Sequence, residues 1–273
     1  MLTQGEGQKE VIRPDFNRAI MIDFQGVRSM QLTNLSGKVA VVTGASSGIG
    51  EAASRALVAE GVQVVLAARS VDRLKPLAQE LGELALVLPT DVGDEAAVER
   101  LFAEVEHRFG GLDLLFNNAG IGYGGSFVEG KTEEWRATID VNLYGVLFCT
   151  RKAIPLMRGR PGAMIATVSS VGGRHGIAGF AVYNATKFAV VGLHDALRKE
   201  LGPEGIRVSL IEPGAVYTNW GSNIPKGEMK ARRDQLEALK PEDIANALVY
   251  AFAQPANVNP QEILIMPTRQ TYP

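Results

Sequence analysis

Tyr183 and Lys187 lie one helical turn apart in FAVYNATKFAVVGLHDALRKEL, Phe180 to Leu201. The apolar residues Val182, Ala185, Ala189, Val190, Leu193, Ala196 and Leu197 recur at three- and four-residue spacing, the pattern of an amphipathic helix packed on a core. Residues four apart on a helix point the same way, so the phenol and the ammonium become neighbours on one face. Two readings stand at this point: a lysine that snorkels past a half-buried tyrosine, or a phenol tuned for proton transfer. A phenol of pKa about 10 is a poor base near neutrality, and positive charge a few ångströms away can lower it by about one to three units. The surroundings must decide between the two.

A second stretch with chemical potential is TGASSGIG, Thr43 to Gly50, which a strand pattern feeds and a helix pattern follows. Glycines at 44, 48 and 50 permit a tight turn and let a phosphate approach backbone N–H groups at the positive end of the helix. A dinucleotide pyrophosphate is the natural ligand. The spacing Gly-x3-Gly-x-Gly departs from the common GxGxxG fingerprint, and such a turn alone is also compatible with an ordinary tight connection. Cys149, set in the apolar NLYGVLFCT, reads as a buried structural thiol rather than a nucleophile. The histidines at 107, 175 and 194 are scattered without an HExxH or Cys/His cluster, so no metal site is expected.

The elements that must hold these residues alternate from Lys38 onward. Strand patterns are KVAVVT, VQVVLAA, ELALVLP, LDLLFN, GAMIATVS, IRVSLIEP and EILIMP. Helical patterns lie between them, with long helices expected between Thr132 and Met157 and between Gly179 and Leu201. Alternation of this kind means parallel pairing with crossover helices: a single doubly wound α/β domain of Rossmann type, with a seven-stranded parallel sheet and helices on both faces. Gly61, Gly82, Gly110 and Gly202 stand where helices should end. The polar segment from Ser222 to Leu239 reads as an exposed helix or flap.

Composition sets outer bounds. The 273 residues are 46% hydrophobic and 21% charged with a formal net charge of -2, which gives no basic field for nucleic acid. No apolar run approaches the ~18 residues of a membrane span and no signal-peptide hydrophobic region opens the chain, so no membrane partner and a cytoplasmic location are expected.

TGASSGIG, the NNAG of Asn117 to Gly120, the pair Tyr183 and Lys187, Ser170 thirteen residues before that tyrosine, and Pro213-Gly214 together closely resemble the short-chain dehydrogenase/reductase family, in the family's order and over roughly Leu35 to the C-terminus. The resemblance implies an oxidoreductase that moves a hydride between a nicotinamide cofactor and a carbonyl or secondary alcohol. By that resemblance Tyr183 is the proton donor or acceptor, Lys187 tunes it and binds the nicotinamide ribose, Ser170 rather than Ser169 bonds the substrate oxygen, and Asn142 in DVNLYGV holds a water in a proton relay. Gly44, Ser46, Ser47, Gly48, Ile49 and Gly50 would wrap the pyrophosphate. Asp91 and Val92 would contact the adenine, and Asn118, Ala119 and Gly120 would line the cofactor. Pro213, Gly214, Val216 and Thr218 would reach the carboxamide and phosphates. His175, Tyr217 and Trp220 are candidates for the substrate pocket, and equally for exposed loop positions.

Five further expectations follow from the same residues and resemblance. The end of the second strand, VVLAARS, carries Ala68 where NAD-selective relatives place an acid, followed by Arg69 and Ser70, so NADP(H) is expected over NAD(H). The C-terminal LKPEDIANALVYAFAQPANVNPQEILIMPTRQ is similar to the NADP-dependent 3-hydroxy acid and serine dehydrogenase branch, which suggests a small hydroxy acid or related carbonyl as substrate. Lys226, Lys230, Arg232 and Arg233 in the flap, 217–239, could draw in a carboxylate or simply form a solvated face. Residues 1–34 form an extension outside the family pattern, expected to lack stable order, in which 9–28 resemble an insertion-sequence transposase N-terminus; residues 35–273 form the catalytic domain. The family habit is a homodimer or homotetramer built across the two longest helices. Rival readings are a non-catalytic nucleotide-sensing regulator, against which the full set of Ser170, Tyr183, Lys187 and Asn142 argues, and an epimerase or hydro-lyase on the same fold.

Overall fold

The structure is a computed structural model that describes residues 32–221 and 226–271. The 9–28 stretch, and the extension up to residue 31, lie outside the described residues. Seven strands, β1 (Val39–Thr43), β2 (Gln63–Ala68), β3 (Ala85–Pro89), β4 (Leu114–Asn117), β5 (Met164–Val168), β6 (Arg207–Pro213) and β7 (Glu262–Ile265), form one parallel sheet in the order β3-β2-β1-β4-β5-β6-β7. Every residue of β1, β4, β5 and β6 is buried, as strands covered on both faces require, which is why the sequence shows continuous apolar runs rather than alternation.

Successive residues of a strand face opposite ways, and β1 divides accordingly. Ala40 and Val42 enter a core shared with α1 (Gly48–Ala59), α2 (Val71–Leu81) and α8 (Pro241–Phe252), while Val39 and Val41 enter a second core with α3 (Glu95–Phe109) and α5 (Gly145–Met157). The long helix α6 (Ala181–Leu201) packs on the second side, where Val190 meets Val146 and Leu210. Strand order reverses between β1 and β4, so the C-terminal ends of β1, β4, β5 and β6 open a crevice at the switch point.

Two local expectations differ from the structure. The helix expected between Thr132 and Met157 is α4 (Thr132–Ile139) and α5 joined by a π-helical turn, Asp140–Tyr144, which contains Asn142. Gly202 has φ -53 and continues into a 3-10 turn, and the left-handed residue that ends it is Gly205 at φ 76. The remaining flap helix, α7 (Lys226–Leu236), lies between Val216 and Leu239, which pair as an isolated parallel bridge with Tyr217 N–H donating to Leu239 O at 2.8 Å. The chain's first anchors are Thr33, whose N–H donates to Ala253 O at 2.7 Å, and Leu35, 2% exposed.

Candidate active site

The crevice holds a cavity of about 490 Å³. Its cradle is built on Thr43, the last residue of β1, whose Oγ accepts the N–H groups of Asn118 (2.9 Å) and Ala119 (3.1 Å) while the Asn118 amide donates to Thr43 O at 2.9 Å. NNAG is thereby locked to the glycine turn, and Asn117 beneath it is buried and donates to Thr150 and Thr167. Gly44 has φ +66, and a Cβ there would meet Ala119 Cα at 2.9 Å; Gly48 has φ +57, and its Cβ would meet the Thr218 methyl at 3.0 Å. Only glycine fits both positions. The first turn of α1 then presents its N–H groups with no side-chain cap at Ser47, so the donors an anion needs are uncommitted to a capping side chain. These features fit a dinucleotide pyrophosphate: a bare helix N-terminus and a floor on which side chains would collide.

At the other end of the cavity are the groups for chemistry. Ser170 follows β5, and its hydroxyl accepts Gly172 N–H at 3.0 Å and lies beside the Tyr183 ring. Ser169 instead donates to Lys187 O at 3.3 Å. Lys187 is 5% exposed; its Nζ donates to Val168 O at 2.7 Å and lies 5.7 Å from the centre of the Tyr183 ring. Burial shifts both groups toward neutrality: the phenol rises to about 12, opposed by the nearby Ser170 hydroxyl, and the amine falls to about 8. The protein groups alone keep the phenol protonated.

Of the expected cofactor residues, all except Gly50 line this cavity, as do Ser170, Tyr183 and Lys187. Gly50 lies behind it, where a Cβ would meet Gly44 O at 2.4 Å, so it is a packing position rather than a contact. Asn142 does not line the cavity either. Its side chain brackets Ile121, accepting from N–H at 2.9 Å and donating to O at 2.8 Å, and reaches Thr186 at 3.2 Å, so it fixes the end of NNAG and the residue before Lys187. Asp91 spends one oxygen on the Gly93 N–H at 3.1 Å and turns the other toward Arg69 at 3.9 Å. Arg69, Ser70 and the seven-percent-exposed Ala68 occupy the β2 end as expected. Among the three pocket candidates Trp220 lines the cavity, whereas Tyr217 bonds Asp234 at 2.8 Å and His175 is exposed outside it. Cys149 is fully buried with its thiol pushed up to about 12 by burial, and among the described residues no metal-binding group gathers.

Three groups escaped the sequence argument. Arg73, in the first turn of α2, lines the cavity beside Arg69. Gln270, beyond β7, accepts the Ala215 N–H at 2.8 Å and closes over Gly214, tying the C-terminal segment to Pro213-Gly214. Arg174, four residues after Ser170, donates at 2.7 Å to the fully buried Glu212 that precedes Pro213, and also pairs with Glu262 on β7. Only the spacing of Arg73 from Arg69 carried a local signal; the other two contacts join distant segments.

Comparison with known proteins decides the family. Residues 38–229 match the short chain dehydrogenase family. The chain belongs to that family. It is 37% identical over 237 residues to an uncharacterised oxidoreductase of Staphylococcus aureus (strain MRSA252), covering 86% of this chain and all of that protein. Among solved structures of this family it resembles the closed form of a serine dehydrogenase complexed with NADP+ (TM-score 0.82, 33% identity, 86% of this chain and 96% of the other). It also resembles the 3-ketoacyl-(acyl-carrier-protein) reductase of Brucella melitensis complexed with NADH (TM-score 0.78, 33% identity, 86% and 99%). The chain is thus an oxidoreductase of the short-chain dehydrogenase family with a Rossmann-like fold. Among its described residues no helix is long and apolar enough to cross a membrane.

Proposed function

We propose that this short-chain dehydrogenase interconverts a carbonyl compound and its secondary alcohol with NADP(H), acting on a small hydroxy acid or the matching oxo acid. The observation that carries the reading is the convergence of Ser170, Tyr183 and Lys187 on one end of a cavity whose other end is the glycine cradle. When bound, the reduced cofactor supplies the hydride. Tyr183 gives its proton to the oxygen of the carbonyl, Ser170 donates a hydrogen bond to the same oxygen as charge develops, and the Lys187 ammonium offsets the phenolate left behind. In the oxidative direction the roles of Tyr183 reverse.

Arg69, Ser70 and Arg73 beside the carboxylate-free Ala68 support a preference for the 2′-phosphate, since a guanidinium makes charge-assisted bonds to phosphate and an acid at this place would repel it. The serine dehydrogenase neighbour, complexed with NADP+, supports both the cofactor and a small hydroxy acid. Exposed Tyr144 (47%) on the π turn and Phe188 (46%) on α6 support a homo-oligomer that pairs the two longest helical segments. The test is a spectrophotometric scan of ketones, aldehydes, oxo acids and hydroxy acids with both cofactors. Turnover with NADPH in excess of NADH is expected, and no turnover of any carbonyl or alcohol with either cofactor overturns the reading.

A further inference from the structure

The wall of the cavity facing the Tyr183 ring is aromatic. Trp220 lies 4.7 Å from the Tyr183 ring centre and 5.7 Å from that of Phe180, and it sits so close over Gly122 that a Cβ there would meet the indole at 2.2 Å. Against this slab a cation enters from the flap. Arg233 on α7 lines the same cavity and donates one hydrogen bond, at 3.1 Å, to the main-chain carbonyl of Trp220. That uses one of the five donors of a guanidinium. Two other cations of this region already have carboxylates: Lys230 pairs with Asp234 at 2.6 Å and Arg269 with Glu237 at 2.9 Å. Among the described residues, neither Arg233 nor the adjacent Arg232, which also lines the cavity, pairs with a carboxylate. A partly desolvated guanidinium is costly to leave uncompensated, and burial already lowers the pKa of Arg233.

We propose that Arg233 is the residue that selects the substrate, by binding a carboxylate carried a few bonds from the reacting carbon, with Arg232 adding a second positive charge. This inference rests on the dehydrogenase reading above and deepens it. Trp220 sets the length of the substrate: its carbonyl holds Arg233 while its ring packs on Tyr183, so the anion site and the proton donor are one residue apart. A short acid bridges the two, and the Trp220 and Phe180 rings cover its hydrocarbon part. The same guanidinium chemistry suits the cofactor diphosphate, and the experiment must separate the two sources.

The measurement is kcat/KM for 3-hydroxybutanoate and for its methyl ester with saturating NADP+, read as the acid-to-ester ratio so that general damage to the flap cancels. Charge-assisted bonds to one carboxylate correspond to a preference for the acid of about ten- to a hundredfold. Arg233→Gln should collapse that ratio to near unity, Arg233→Lys should give an intermediate value, and Lys230→Gln, which removes a cation that already has its partner, should keep it. A wild type without preference for the acid, or an Arg233→Gln variant with an unchanged ratio, overturns the proposal. Loss of NADPH affinity in Arg233→Gln with the ratio retained overturns it in favour of the cofactor phosphates. A binding arm separates this inference from the reaction itself: in a Trp135→Phe background, 3-hydroxybutanoate added with NADP+ should quench the fluorescence of Trp220, and Arg233→Gln should abolish the quench. Quenching without turnover of any alcohol would refute the dehydrogenase reading and keep the carboxylate site; no quenching and no acid preference would refute the site alone.

Discussion

Replacing Arg174 with methionine should destabilise the protein in a pH-dependent way. Glu212 is 0% exposed and its partner Arg174 is 35% exposed, so the substitution leaves a carboxylate shielded from water with its principal counter-ion gone. The other Glu212 oxygen has no hydrogen-bond partner to share the load. Breaking such a pair from one side costs about 3–5 kcal/mol, which for a domain of this size is on the order of 10 °C in melting temperature. Burial pushes the Glu212 carboxyl up and Arg174 pulls it back, so without the arginine only the upward push remains, reinforced by Glu262. Between the unfolded carboxyl pKa and this raised folded value the folded state binds more protons, and stability falls as pH rises, by up to about 1.4 kcal/mol per unit. The deficit of Arg174→Met relative to wild type, from urea melts followed by circular dichroism, should therefore be larger at pH 8 than at pH 5. The double variant Arg174→Met/Glu212→Leu, which removes both charges, should recover most of the loss. A deficit equal at both pH values, or a double variant less stable than the single one, would refute the assignment of the cost to a stranded carboxylate.

Three more outcomes are expected. The ratio of NADPH to NADH efficiency should lie near the lower end of ten- to a hundredfold in the wild type, from charge-assisted bonds of about 1.5–3 kcal/mol, and should fall steeply in Ala68→Asp/Arg69→Ala; an unchanged ratio would remove Arg69 from phosphate recognition. His194 is 4% exposed, and burial lowers its pKa to about 4 against an opposing contact with the Val190 backbone. Its folded pKa lies below the unfolded value near 6.5, so its contribution is present above pH 6.5 and lost as pH falls toward 4, and His194→Leu should flatten that limb of the stability curve; an identical acid limb would contradict this. Removing Met1 to Ser29 should leave melting temperature and turnover within assay error, because the anchors at Thr33 and Leu35 remain; a large fall in either would make the segment integral.

The sheet was legible because parallel strands buried on both faces must be continuously apolar, and KVAVVT, LDLLFN and GAMIATVS have no other economical interpretation. The glycine turn was legible for a related reason: Gly44 and Gly48 occupy positions where the backbone and a neighbouring side chain leave no room. What escaped was set by distance. Arg174 finds Glu212 across 38 residues, and Gln270 finds Ala215 across 55, and neither pairing leaves a local pattern. The π turn that carries Asn142 escaped because its residues continue a helical periodicity, and its effect is to aim one amide at Ile121 and Thr186. The burial that raises the Tyr183 phenol also escaped, because adjacency to Lys187 is visible in a sequence and the depth of burial is not.

The central claim is that Tyr183 supplies the proton that accompanies hydride transfer. The most direct measurement is single-turnover oxidation of NADPH, at 340 nm, by Tyr183→Phe and wild type with the best carbonyl substrate, together with the dissociation constant for NADPH. The ring remains and only the transferable proton is lost, so NADPH affinity should stay within about twofold while the rate falls at least a hundredfold, the lower end of what a positioned general acid contributes. A variant that keeps more than a tenth of the wild-type rate contradicts the claim, and the proton would then have to come from another group in the cavity.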